Sequence, residues 1–186
     1  MEINSQQQLL FEQIREEYGK VLYSQSIHAK ESDCLKQIDN TTKWMAIVLS
    51  VLTTSGILDY FIRDAANSLL FSMITSLMTM ILSSMMKSID YKGRSIEHKK
   101  AADGLWLIRE EYLSLLTDFS STDLETIRKR RDDLIHRTAT IYETAPTTGK
   151  RAYKRAQNAI KSGEQWFDDE EWHKLLPKSL QHDLKK

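Results

Sequence analysis

Two stretches without charge constrain this chain more than anything else in it. From Ala65 to Met86 there is no Asp, Glu, Lys or Arg, and from Trp44 to Ile62 there is only Asp59. At about 1.5 Å per residue these runs would reach roughly 33 Å and 28 Å as helices, against a bilayer core of about 30 Å. Arg63 and Asp64 alone separate them, so the chain must cross, turn at once and return. The averages, 28% charged and a mean hydropathy of −0.45, look soluble only because the flanks are dense in charge. A buried hairpin in a soluble bundle is the competing reading. Uncharged runs beyond about 18 residues count against it.

The ends of the hairpin carry their own signals. Trp44 marks one interface, and Tyr60 and Phe61 the other, as amphipathic rings do. Asp59 and Arg63 are one helical turn apart and can pair at the turn. Lys36, Lys43, Lys87, Lys92, Arg94, Lys99 and Lys100 flank the hairpin on the side of the termini, against Arg63 at the turn. The positive-inside rule therefore predicts both termini in the cytoplasm. The first apolar run starts behind a long charged segment, so no cleavable signal peptide is expected. The single cysteine, Cys34, excludes an intrachain disulfide framework and fits a reducing compartment.

Outside the hairpin every periodic segment is helical, and the fold class is all-α. An N-terminal helical region, 1–43, leads into the hairpin, 44–87 (spans about 44–62 and 65–86), and a C-terminal helical region follows, 88–186. Leu10, Ile14, Tyr18 and Val21 recur at helical spacing in a helix that is expected to run straight into the first span. Ala101, Leu105, Ile108, Tyr112, Leu115 and Phe119 define an amphipathic helix after the second span. Thr122 and Glu125 are spaced as a capping box for a further helix. Its expected apolar face is Leu124, Ile127, Leu134, Ile141 and Tyr142. "APTTG" (145–149) ends that helix, and a short one over 150–162 follows with Tyr153, Ala156 and Ile160 on one face. Asp168 and Glu171 suggest a last helix start before Pro177.

No signature of catalysis is present. There is no glycine-rich phosphate loop and no Cys/His metal spacing, so neither enzyme activity nor a cofactor is expected. The 26 basic residues balance the 26 acidic ones, which gives no field for direct nucleic-acid binding. Five histidines, at 28, 98, 136, 173 and 182, stand at no useful spacing and read as surface or helix-face residues. Arg131 projects onto the apolar stripe of its helix. An unpaired charge there is costly, so an interhelical or intersubunit ion pair is expected, with a phosphate or lipid-headgroup contact as the other option. Arg109 carries the same two readings.

The second span holds a row of hydroxyls. Ser68, Ser72, Thr75, Ser76, Thr79 and Ser83 fall within an arc of roughly 100° at 100° per residue, with Met73 and Met80 outside it. Each can bond the carbonyl one turn back, which makes it tolerable in lipid. Small polar residues also let helices pack closely, and interhelical hydroxyl bonds contribute only about 0.6 kcal/mol. Alternatively the row faces water in a pore, which two helices cannot enclose, so several copies would be required. Ser72, Ser76, Thr79 and Ser83 would then face the lumen when open and neighbouring helices when shut.

Several stretches resemble the SLATT family, the two-transmembrane effector domains associated with SMODS nucleotidyltransferases and SLOG sensors. They are "YGKVLYSQSIHAKESD", "VLTTSGIL", "KKAADGLWLIREEYLSLLTDF", "RKRRDDLIHRTATIYETAPTTGKRAYKRAQ" and "EQWFDDEEWHKLLPKSL", in that order. The resemblance implies a pore-forming effector of bacterial antiviral defence, acting by abortive infection. It would oligomerise with itself in the bilayer when a co-encoded cytoplasmic enzyme or sensor triggers it, and it would have no catalytic residues. No sensor or enzyme segment is visible in the chain, so a nucleotidyltransferase, a reverse transcriptase or another module could be the trigger. A non-conducting membrane anchor that recruits a cytoplasmic enzyme is the alternative.

Overall fold

The computed structural model describes residues 5–63 and 66–164. The start of a helix at Asp168 and the close at Pro177 lie outside the described residues. Among the described residues five helices follow one another: α1 Ser5–Arg63, α2 Ala66–Ser88, α3 Tyr91–Thr117, α4 Leu124–Thr144 and α5 Lys150–Lys161. No strand occurs among the described residues. The predicted continuity of the first helix into the span is what the structure has. α1 is one helix of 59 residues, about 90 Å long, and contains no proline to kink it.

α1 belongs to two bundles at once. Its first part packs against α3, α4 and α5 to form a polar-coated head, and its last part pairs with α2 to form the apolar hairpin. The head has a closed core. Leu10, Ile14, Val21, Leu105, Ile108, Tyr112, Leu115, Ile127 and Leu134 are buried together, with Tyr18, Phe119 and Ile141 packed at the margin. The stripe predicted on α3 is therefore the buried one. Phe11 meets Phe119 edge to face at 5.2 Å, which fixes the far end of the antiparallel α1–α3 pair.

The burial pattern of α1 does not change period at the membrane boundary. Ile14, Val21, His28, Leu35, Thr42, Leu49 and Gly56 stand at successive seven-residue steps, and all are buried or half-buried. So are Tyr18, Gln25, Ser32, Asp39, Ala46, Thr53 and Tyr60, four places along. A sustained seven-residue repeat is shorter than two ideal helical turns and draws partner helices into a left-handed wrap. α3 answers with Ala101, Leu105, Ile108, Tyr112 and Leu115.

Three local expectations are corrected. α4 begins at Leu124, so its N-cap is Asp123, whose carboxylate accepts from Thr126 N at 2.9 Å. Thr122 instead donates to the Asp118 carbonyl in the preceding turn. Tyr142 of α4 is exposed, because Thr138 takes the buried place on the face of Ile127 and Leu134. α5 buries Ala152, Ala156 and Ala159, and Tyr153 is exposed. Alanines let α5 approach α1 closely, whereas a tyrosine would hold it off.

Candidate functional site

The two apolar helices touch along small and hydroxylated residues. On α1 the inner positions are Thr42, Ala46, Leu49, Thr53, Gly56 and Tyr60, and on α2 they are Ser68, Ser72, Thr75, Thr79, Leu82 and Met86. Both sets advance by alternating steps of four and three. Large apolar side chains point outward: Leu77 is 54% exposed and Met73 63%. This inversion is what lipid demands. Burying leucine against leucine gains little where the solvent is itself hydrocarbon, so packing contact and hydrogen bonds must hold the helices.

Gly56 is the point of closest approach. A Cβ added there would lie 2.3 Å from Ser72 Oγ and 3.0 Å from the Ser68 carbonyl oxygen. One turn away, Thr53 Oγ1 and Thr75 Oγ1 are 2.8 Å apart across the seam. At the turn end Ser68 Oγ donates to Asp59 Oδ2 at 2.5 Å, while Arg63 Nε stands 3.4 Å from Asp59 Oδ1. Asp59 thus ties the last turn of α1 to the first turn of α2, beyond the pairing with Arg63 that the spacing predicts.

The hydroxyl row is divided by this packing. Ser68, Ser72, Thr75 and Thr79 belong to the seam, and Ser76 and Ser83 lie on the exposed side of α2. Seam hydroxyls also bond back to their own helix: Ser72 donates to the Ser68 carbonyl at 2.9 Å and Thr79 to that of Thr75 at 2.8 Å. On the outer face of α1, Ser50, Thr54 and Ser55 do the same. Among the described residues, the side-chain hydroxyls of Ser76 and Ser83 find no hydrogen-bond partner. They stand seven residues apart, hence on one face.

Two apolar helices long enough to span a bilayer, paired through small residues and continuous with a helical head, are now in view. The profile of the SMODS and SLOG-associating 2TM effector domain family 4 matches residues 10–171. The chain belongs to this family. It is a two-transmembrane effector domain of a membrane protein, of a kind described as associating with SMODS and SLOG proteins. No curated protein and no solved structure matches the chain.

In this effector domain Arg131 and Arg109 each pair with the acid next to them in sequence. Arg131 Nε and Nη2 donate to Asp132 Oδ1 at 2.9 and 2.7 Å, and its Nη1 donates to Gln13 Oε1 of α1 at 2.8 Å. Its carboxylate partner is therefore its own neighbour, and the link between helices is to a neutral amide. Arg109 repeats the pattern, with Glu110 beside it and Gln25 of α1 opposite at 3.2 Å. The interhelical ion pair is elsewhere. Arg137 of α4 grips both carboxylate oxygens of Glu111 on α3 at 2.7 Å each, which lowers the Glu111 pKa and raises that of Arg137.

The histidines include a pair that spacing does not reveal. His28 and His98, buried and 70 residues apart in sequence, face each other with Nδ1 atoms 3.0 Å apart. Burial pushes both pKa values down, and the positive charge of Arg94 works the same way at His98 against Glu31 and Glu97. Next to them Ser32 Oγ donates to the Ser95 carbonyl at 2.8 Å and Ser95 Oγ to the Ser32 carbonyl at 2.9 Å. The reading of all five histidines as partnerless is thus corrected for this pair. His136 is exposed, while His173 and His182 lie outside the described residues. The seven-residue repeat of α1 is the signal that could have found the pair, since His28 and Ser32 sit in it.

Proposed function

We propose that this protein is a pore-forming effector of bacterial antiviral defence, resident in the inner membrane with both termini cytoplasmic. Several copies assemble through their hairpins when a co-encoded cytoplasmic enzyme or sensor engages the head, and the assembly permeabilises or depolarises the membrane. The division of labour is residues 1–43 and 88–186 for the trigger and 44–87 for the lumen. Family membership supports the effector role. The observation that favours a pore is Ser76 and Ser83. The seam consumes the rest of the row, whereas these two hydroxyls stand exposed on one face, without a hydrogen bond, where lipid offers none. Water in a lumen, or a neighbouring subunit around one, satisfies them.

Purified protein in dye-loaded vesicles tests this reading. Leakage by the wild-type protein is expected, together with toxicity on overexpression, and Ser76→Leu with Ser83→Leu should abolish both while insertion and yield stay normal. A non-conducting adaptor leaves the vesicles intact. Leakage that survives the double variant moves the lumen to another face of the hairpin.

A further inference from the structure

A groove of about 470 Å3 lies between α1 and α3 at the base of the head, from Gln25 to Lys43 on one wall and Lys92 to Asp103 on the other. Its lower end reaches the start of the apolar hairpin. Lys43 immediately precedes Trp44, which is 68% exposed at the start of the first span, and Lys92 lies one turn beyond the end of α2 at Ser88. Four lysines, at 36, 43, 92 and 99, line it. Two are already neutralised: Lys43 Nζ is 2.5 Å from Asp39 and Lys99 Nζ is 3.0 Å from Asp103. Lys36 and Lys92 reach no carboxylate among the described residues, and Asp33 is the one acid of the lining without a lysine. Lys87, Arg94 and Lys100 are exposed as well, and form no ion pair among the described residues.

Two lysines without a carboxylate partner, one on each wall of a groove beside the apolar hairpin, fit a particular ligand chemistry. A phosphate anion can accept from both at once, and Asn40 at the rim offers an amide beside them. We infer that this groove binds the phosphate of an anionic lipid headgroup, with Lys36 and Lys92 as its direct contacts. The mouth opens where headgroups lie, and basic recesses at this level commonly hold acidic lipids. A soluble phosphate compound presents the same chemistry, but it would have to reach a site that faces the bilayer surface.

Calorimetric titration of the full chain in neutral detergent separates these sources. Short-chain phosphatidylglycerol should bind, and phosphatidylcholine of the same chain length, whose phosphate is offset by choline, should not. Lys36→Gln with Lys92→Gln should weaken phosphatidylglycerol binding about thirtyfold, and Lys36→Arg with Lys92→Arg should restore it. Lys150→Gln with Lys154→Gln on α5 should leave it unchanged. Equal binding of the two lipids, or full binding by the Lys36→Gln/Lys92→Gln protein, overturns the site. Inorganic phosphate that displaces phosphatidylglycerol at equimolar concentration overturns the lipid source.

Discussion

α1 packs through the same repeat in two solvents, and the two halves use opposite chemistry for it. In the head the repeat is filled by Ile14 and Val21, and charge coats the outside. In the hairpin it is filled by Thr53 and Gly56, and Ile47, Val51 and Leu58 coat the outside. Water rewards hiding hydrocarbon, so the head hides its largest side chains. Lipid rewards close backbone contact and satisfied polar groups, so the hairpin hides its smallest ones. His28, Ser32 and Ser95 lie between, where the buried face has already turned polar but remains in the head.

The same truncation should act very differently on the two halves. Leu105 is fully buried in the head and Leu77 is 54% exposed on the hairpin. Leu105→Ala should destabilise the head by about 2–5 kcal/mol, read as a fall in the melting temperature by near-UV circular dichroism in detergent. Leu77→Ala should leave that melt where it is. Comparable losses would mean that the hairpin buries large side chains after all.

Enlarging a small residue should have the reverse bias. Gly56→Val places carbon where Ser72 Oγ and the Ser68 carbonyl now sit, at a cost of about 1–3 kcal/mol to the seam. In a Cys34→Ser background, cysteines at Thr53 and Thr75 should crosslink readily, and Gly56→Val should suppress the bond. The head's melt should not respond. A crosslink unaffected by valine would show that the helices are not held by close approach.

Mild acid, above the carboxylate range, should act at the boundary. His28 and His98 have pKa values lowered by burial, so the folded head holds fewer protons there than the unfolded chain. The stability they allow is complete above the ordinary histidine value of about 6.5 and declines as pH falls through it. The melting temperature of the head should drop between about pH 7 and pH 5.5, and His28→Leu with His98→Leu should flatten that part of the profile. An unchanged slope would assign the drop to carboxylates.

Reading the sequence succeeded where burial and hydrophobicity coincide. Leu105, Ile108 and Tyr112 announce their face because they are both apolar and buried. The two apolar helices are equally legible, since absence of charge is a property of composition and needs no partner. The seam was half visible: the arc of hydroxyls contained Ser72 and Thr75, but also Ser76, and only the position of α1 separates them. Gly56 gave no signal, since its meaning depends on what stands opposite. His28 and His98 were illegible for a related reason. Each is unremarkable on its own helix, and their meeting depends on the register of α1 against α3. Arg131 lies on the predicted face, yet Asp132 turns to meet it, a choice of rotamer that periodicity does not encode.

The unbroken course of α1 has a mechanical consequence. Ile14 in the head and Gly56 in the seam occupy equivalent places of one repeat on one rod. A helix without a kink is stiff to twisting, so a turn imposed at one end is delivered at the other. If a partner were to rotate α1 against α3 in the head, the unbroken helix would carry that turn to Gly56 and Ser72, with no proline on the way to absorb it.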